Sequence, residues 1–272
     1  MTKRGQLFFF VPAFVLFVVF VLLPSTLTLL ESVYPQRDGG REWVGGLFYS
    51  FALTDSQFRQ SLGNNLVYLF LTLIFEVGVG LALAVGLQRE GRFNNFLRVA
   101  FFSPNVLSLV IVGLVFGFLF KDGVGVWPGW LREGRALLTI SVVSGWAYCG
   151  FYMIIFLGGL AGIPKEVLEA ARIDGADPWQ TFWRIKLPLL RDVLWVALLI
   201  CFTGAFKAFD LFWVMLPNQD HTSIVSTLLV KEFIRFDNPG YGATLAVLLT
   251  LLVFATAGIV FAAKQINFVR RR

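Results

Sequence analysis

Charge is scarce in this sequence. Asp, Glu, Lys and Arg make up 15% of its 272 residues, against roughly 25% in a soluble domain. So little polar surface cannot cover a water-soluble globule. That excludes a soluble enzyme and a disordered tail and, despite the net charge of +6, argues against a nucleic-acid partner. Cysteine is nearly absent. Cys149 and Cys201 both sit in apolar runs, so there is no disulfide framework and free thiols are expected. Histidine is reduced to His221 in Pro217-Asn-Gln-Asp-His-Thr, which removes H-E-x-x-H metal chemistry and reads as a solvated loop residue. No lysine follows a glycine, so the phosphate-cradling P-loop is missing, and there is no G-x-S-x-G elbow. No catalytic set and no metal-ligand set is visible.

What is abundant is apolar. Hydrophobic residues reach 57%, phenylalanine alone occupies 30 positions, and mean hydropathy is +0.74. A bilayer core of about 30 Å needs about 20 such residues as helix. Four stretches lack any Asp, Glu, Lys or Arg: 5–30, 99–120, 136–164 and 238–263. The stretch 60–88 is interrupted only by Glu76, and 193–219 only by Lys207 and Asp210. The expectation is an all-α polytopic membrane protein with six transmembrane helices near 7–30, 62–87, 99–120, 137–160, 190–215 and 241–263, in one domain over residues 1–272. The first run is too long for a signal-peptide core and lacks an A-x-A site near its end, so it reads as a retained helix.

Lys and Arg in the loops orient the chain. With the N-terminus inside, fourteen of the 23 fall on the inner side and eight in outer loops, with Lys207 remaining. Both termini are therefore expected in the cytoplasm. Within the spans, an ionisable residue costs roughly 2.5–3.5 kcal/mol at mid-bilayer unless it finds a partner or water. Lys207 and Asp210 stand at i,i+3 and are expected either to pair or to line a polar path. Glu76 is expected to accept a hydrogen bond from a neighbouring helix. It opens a run in which Gly78/Ala82/Gly86 and Gly80/Ala84 are small-xxx-small spacings that permit close helix contact. In the second outer loop, Trp127 and Trp130 suit an interfacial anchor, with sugar stacking as the second reading.

The inner loop 161–188 stands apart. Pro164 suits a helix start, and Lys165 and Glu169 lie at i,i+4. Gly175 can take the positive φ that closes a helix, and Asp177 with Pro178 starts another. Trp179, Phe182, Trp183 and Lys186 follow at i, i+3, i+4 and i+7, a face suited to the membrane–water interface. Pro188 is expected to end the element. The segment reads either as an amphipathic linker on headgroups or as a rigid docking element for a partner groove.

Glu169-Ala170-Ala171, Asp174-Gly175-Ala176, Ile185 and Leu187-Pro188 resemble the EAA loop of ATP-binding-cassette importer permeases. Phe101-Phe102-Ser103-Pro104 is similar to that family's entry into the third span. Gly150-Phe151-Tyr152-Met153 through Ile163-Pro164-Lys165-Glu166, and Phe206-Lys207-Ala208-Phe209-Asp210-Leu211, resemble the maltose-type sugar branch. The resemblance implies a non-catalytic permease subunit in a prokaryotic plasma (inner) membrane, importing a sugar or sugar-like solute. The implied partners are a second related permease, two cytoplasmic ATPase subunits that carry the ATP and Mg, and an extracytoplasmic solute-binding protein. This chain would bind no cofactor. Glu166, Glu169, Ala170, Ala171, Asp174, Gly175 and Ala176 would form the ATPase-coupling site. Phe206, Lys207, Phe209, Asp210 and Trp213 would border the substrate path. The first outer loop is too short for the extra domain of some maltose permeases.

Two rivals remain at this level. An ion-coupled secondary transporter would have no need for a capped inner helix of this kind, and no internal repeat is evident. A membrane enzyme would need a nucleophile–base set that the chain lacks.

Overall fold

The structure is a computed structural model. It describes residues 3–37, 40–216 and 220–269. Arg270, Arg271 and Arg272, counted above for orientation, and positions 217–219 of the last outer loop lie outside the described residues.

Among the described residues five helical spans are long and apolar enough to cross a membrane: Phe10–Val33, Ser56–Gly86, Ala136–Ala161, Arg191–Met215 and Pro239–Gln265. The sixth expected span, 99–120, is bent. Arg92–Val106 and Leu109–Leu119 meet at 94°. Ser103–Val106 tightens to a 3-10 turn around Pro104, and Leu107 is extended. Leu109–Leu119 has 11 residues, or about 16 Å of helix, too little to cross alone. Unbroken hydropathy therefore concealed a broken span. Among the described residues the only ladder is Gln36–Arg37 against Gly40–Arg41.

The chain divides into two compact units. The first comprises residues 1–60 and 225–252. There the Ser32 and Tyr49 hydroxyls lie 2.7 Å apart, and Thr244 Oγ1 donates to Gly240 O at 2.9 Å. Tyr241 donates its hydroxyl to Asp55 Oδ2 at 2.6 Å and meets the Phe51 ring edge-on at 5.1 Å. None of the apolar window of Phe10–Val33 is buried within the chain, as expected of a helix bathed in lipid or in another subunit.

The second unit comprises residues 61–224 and 253–272. Its centre is Ala136–Ala161, 61% of whose apolar window is buried. At 26 residues this helix is about 39 Å long. Close approach on two sides depends on missing side chains. A Cβ at Gly80 of the second span would lie 2.6 Å from Tyr152 Cβ and 2.9 Å from Cys149 O. A Cβ at Gly150 would strike the Phe101 carbonyl and lie 2.7 Å from Phe102 Cα. Of the two small-residue stripes, Gly80/Ala84 is the buried one, whereas Gly78, Ala82 and Gly86 face outward. Cys149 and Cys201 are buried free thiols.

Candidate functional site

Two features carry chemistry: a polar cavity between spans, and the inner loop. The cavity encloses about 440 Å³, within the roughly 300–1,000 Å³ of small-molecule pockets. The second span contributes Tyr68, Thr72 and Glu76, and the fourth contributes Ser144, Tyr148 and Tyr152. Asn105 enters from the bend of the third, and Lys207, Phe209 and Asp210 come from the fifth.

Each set follows from local structure. Tyr68, Thr72 and Glu76 recur every four residues, as do Ser144, Tyr148 and Tyr152, so each trio shares one helix face. The second span is π-helical over Leu73–Gly78, and Glu76 is buried there. Such bulges concentrate at functional positions. Tyr68 donates to Ser144 Oγ at 3.0 Å, and Ser144 donates to Glu76 Oε1 at 2.6 Å. The expected hydrogen bond to Glu76 from a neighbouring helix is thus present. Glu76 also faces the cavity, so its place is not purely at a helix contact. Ser144→Ala is expected to leave that oxygen without its donor and to lower stability by about 1–3 kcal/mol. Thermal denaturation in detergent checks this, with Ser144→Thr restoring the donor.

The fifth span breaks within the cavity wall. Arg191–Lys207 ends at Ala208, whose φ −56 and ψ 134 are extended. Phe209 has φ −146 and ψ −55, and helix resumes over Asp210–Met215. The i,i+3 geometry expected for Lys207 and Asp210 is therefore absent. No ion pair joins them among the described residues. Both instead line the cavity, on either side of the break. Of the five residues expected to border a path, Lys207, Phe209 and Asp210 line this cavity. Phe206 is buried at 2% exposure, outside the lining. Trp213 stacks on Phe209 at 5.3 Å and 23° rather than lining the cavity itself. Sequence reasoning missed Tyr68, Ser144, Tyr148 and Tyr152, although their four-residue spacing inside apolar spans was a visible signal.

The inner loop folds as two capped helices. Lys165–Ile173 is amphipathic, and Pro164 occupies its N-cap, with Lys165 the first helical residue. Its end is a Schellman motif: Ala176 N donates to Ala171 O at 2.9 Å, Gly175 N to Arg172 O at 3.1 Å, and Gly175 has φ +76. Asp177 and Gln180 form a capping box around Pro178, with Gln180 N donating to Asp177 Oδ1 at 2.7 Å. Glu166, Glu169, Ala170, Asp174 and Gly175 are exposed, Ala171 is buried, and Ala176 is half-buried. Lys165 and Glu169 form no ion pair among the described residues.

The second element departs from a simple helix. Pro178–Thr181 passes into a π-segment over Phe182–Lys186, then Leu187–Leu189. Pro188 does not end it: the chain turns at Leu190, with φ −76 and ψ 0, and runs on into Arg191–Lys207. Trp183 contacts Trp179 at 5.5 Å and Phe182 at 5.2 Å, while Lys186 donates to Gln88 Oε1 at 2.7 Å.

In the loop between the third and fourth spans, Trp130 stacks on Phe120 at 6.2 Å and 28° and Trp127 tilts against the same ring at 6.3 Å. His221 is exposed, and its carbonyl accepts from Asn64 Nδ2 at 2.9 Å.

Comparison with known proteins adds the lineage. Residues 77–271 match the family described as "Binding-protein-dependent transport system inner membrane component". The osmoprotective compounds uptake permease protein GgtC of Synechocystis sp. is 33% identical, over 89% of this chain and 92% of that one. The arabinooligosaccharides transport system permease protein AraP of Bacillus subtilis is 30% identical, over 94% and 87%. The sn-glycerol-3-phosphate transport system permease protein UgpA of Agrobacterium fabrum is 27% identical, over 96% and 93%. In three dimensions the fold matches a chain of a bacterial ABC transporter involved in import of the acidic polysaccharide alginate. The TM-score is 0.80 over 96% of each chain, at 19% identity. Several membrane-spanning helices, a capped inner loop, a family match over most of the sequence and relatives of nearly equal length agree: the chain belongs to the binding-protein-dependent transport system inner membrane component family.

Proposed function

We propose that this chain, as one permease domain over residues 1–272, is a subunit of an ATP-driven importer for a sugar or sugar-like solute. The observation that carries the reading is the polar cavity at the break in the fifth span. Hydroxyl, amide, carboxylate and ammonium groups converge there among apolar helices, with the Phe151 and Phe209 rings beside them. Hydroxyl-rich solutes need such donors and acceptors plus an aromatic face. Relatives named for arabinooligosaccharides and for multiple sugars support the solute class.

ATP and Mg reside on two cytoplasmic ATPase subunits, and this chain binds no cofactor. A second related permease completes the path, and an extracytoplasmic binding protein delivers the solute. Both termini lie in the cytoplasm. The exposed helix Lys165–Ile173, with Glu166, Glu169, Ala170 and Asp174 outward, fits a groove on the ATPase, and the Gly175 cap holds it rigid. Purification from native membranes is expected to bring down an ATPase and a second permease. Transport by the reconstituted chain alone under an ion gradient would instead favour a secondary carrier.

Lys207→Met and Asp210→Asn are expected to change solute transport by about tenfold while assembly with the ATPase is unaffected. Each removes a charge that the cavity leaves available to solute or water. Radiolabelled-solute uptake with co-purification in parallel checks both. Wild-type uptake in both variants would leave Phe209 as the remaining candidate on this span.

A further inference from the structure

The turn that leaves the second span is held by donors from elsewhere in its unit. Arg98 donates from Nε and Nη2 to Leu87 O at 3.1 and 2.6 Å, and from Nη2 to Arg89 O at 3.2 Å. Asn94 Nδ2 donates to Arg89 O at 2.9 Å. Lys186, five residues before the fifth span, donates from Nζ to Gln88 Oε1 at 2.7 Å. These bonds bring the Lys186 ammonium next to the backbone that carries Arg89, where two spans leave the bilayer on one face.

Cations predominate here and are not matched by ion-paired carboxylates among the described residues. Burial, then the neighbouring Arg172 and Arg89 charges, hold the Lys186 pKa below the ordinary lysine value. No carboxylate lies within ion-pair distance of Arg89, Arg172 or Lys186 among the described residues, and Glu90, next in the turn, forms no ion pair either. Lys186 has spent one of its three donors on Gln88, and the Arg89 guanidinium fork makes no hydrogen bond among the described residues. Beside Lys186, Trp179 and Trp183 are 70% and 49% exposed, large amphipathic rings of the kind that sit at headgroup depth. Cations without an ion-paired anion among the described residues, at the membrane end of two spans and flanked by exposed indoles, lack one component: a phosphate presented from the bilayer.

We propose that Arg89 and Lys186 form a binding site for the phosphate of an anionic phospholipid headgroup, with Trp179 and Trp183 against its glycerol and upper acyl region. Membrane depth favours this occupant over a carboxylate cluster on a protein, because residues 88–89 directly follow the end of the span at Gly86. The bound lipid would tie the segment between the Lys165–Ile173 helix and the fifth span to the second span. Lipid composition would then bear on coupling as well as on stability.

Native mass spectrometry of the full chain in detergent, titrated with phosphatidylglycerol or phosphatidylcholine, tests the site. One phosphatidylglycerol is expected to be retained in preference to phosphatidylcholine. The preference should fall about fivefold for each cation removed, hence roughly 25-fold in Arg89→Gln/Lys186→Gln, and return in Arg89→Lys/Lys186→Arg. Equal retention of both lipids, or an unchanged preference in the double Gln variant, overturns the proposal. Displacement by inorganic phosphate at the concentration that saturates the site assigns it to a soluble phosphate and overturns the lipid source. Cross-linking of Arg89→Cys to the ATPase in native membranes, with no change in lipid retention, assigns the cluster to a protein partner and also overturns it.

Discussion

Glu169→Lys and Gly175→Val are each expected to abolish solute-stimulated ATP hydrolysis while leaving the subunit inserted in the membrane. Glu169 is exposed on the Lys165–Ile173 helix. Reversing its charge on the proposed ATPase-docking surface is expected to set a mismatched charge against the partner, and like-charge juxtapositions at an interface cost several kcal/mol. Coupled activity should therefore drop by on the order of tenfold or more. Gly175 acts differently. Its φ of +76 closes the Schellman motif, and a β-branched residue resists that conformation by about 1–2 kcal/mol or more. The strain unwinds the cap and frees the helix end. Nothing lies within 4 Å of a Cβ at Gly175, so the lesion is one of backbone conformation, not of crowding. Gly175→Asn, which tolerates the left-handed region, should retain most coupling. Measuring ATPase activity with and without solute in the reconstituted complex separates these variants. Wild-type stimulation in both Glu169→Lys and Gly175→Val would sink the coupling assignment.

Gly150→Ala is expected to be the most destabilising single methyl in the protein. Its Cβ would fall on the Phe101 carbonyl, 2.5 Å from the carbonyl carbon, with Phe102 Cα at 2.7 Å. These are backbone atoms, and they lead directly into the Ser103–Val106 turn, so no side-chain rotation relieves the clash. Overpacking costs typically 1–3 kcal/mol where the surroundings yield. Here they cannot yield without moving the bend of the third span, so a loss of about 3 kcal/mol or more is expected. Nothing lies within 4 Å of a Cβ added at Gly158 on the same helix, and Gly158→Ala should be neutral. The buried thiols of Cys149 and Cys201 supply the readout, since a thiol-reactive dye reports their exposure on heating. Equal midpoints for the two variants would refute close packing at Gly150.

Much of this protein was legible because lipid makes the rules simple. Backbone polar groups have no water to bond in the bilayer core, so a long apolar run must be helical. The runs around Phe10–Val33, Ser56–Gly86, Ala136–Ala161 and Pro239–Gln265 needed only hydropathy. The inner loop was legible for another reason. Its caps are local: Gly175, Asp177 and Pro178 act on backbone within a few residues, so the motif survives in the one-dimensional text. Even there, the π-segment over Phe182–Lys186 and the continuation through Pro188 escaped notice. Proline tolerated in a first turn looks the same in sequence as proline that stops a helix.

The breaks at Leu107–Ser108 and Ala208–Phe209 were not legible. Neither holds a glycine or a proline, and hydropathy registers burial, not dihedral angles. The consequence falls on function, because the second break is what separates Lys207 from Asp210 and turns both into cavity lining in place of an intrahelical pair. By itself the sequence determined the number of apolar segments, their helical state, the capped inner loop and the family, since each depends on composition or on contacts a few residues apart. The tertiary structure alone decided which small-residue stripe is buried, that Ser144 reaches Glu76 across 68 positions, and that tyrosines of two spans close one cavity with the broken fifth span. Those outcomes depend on helix rotation and on the positions of backbone breaks, which long-range packing sets and no local pattern encodes.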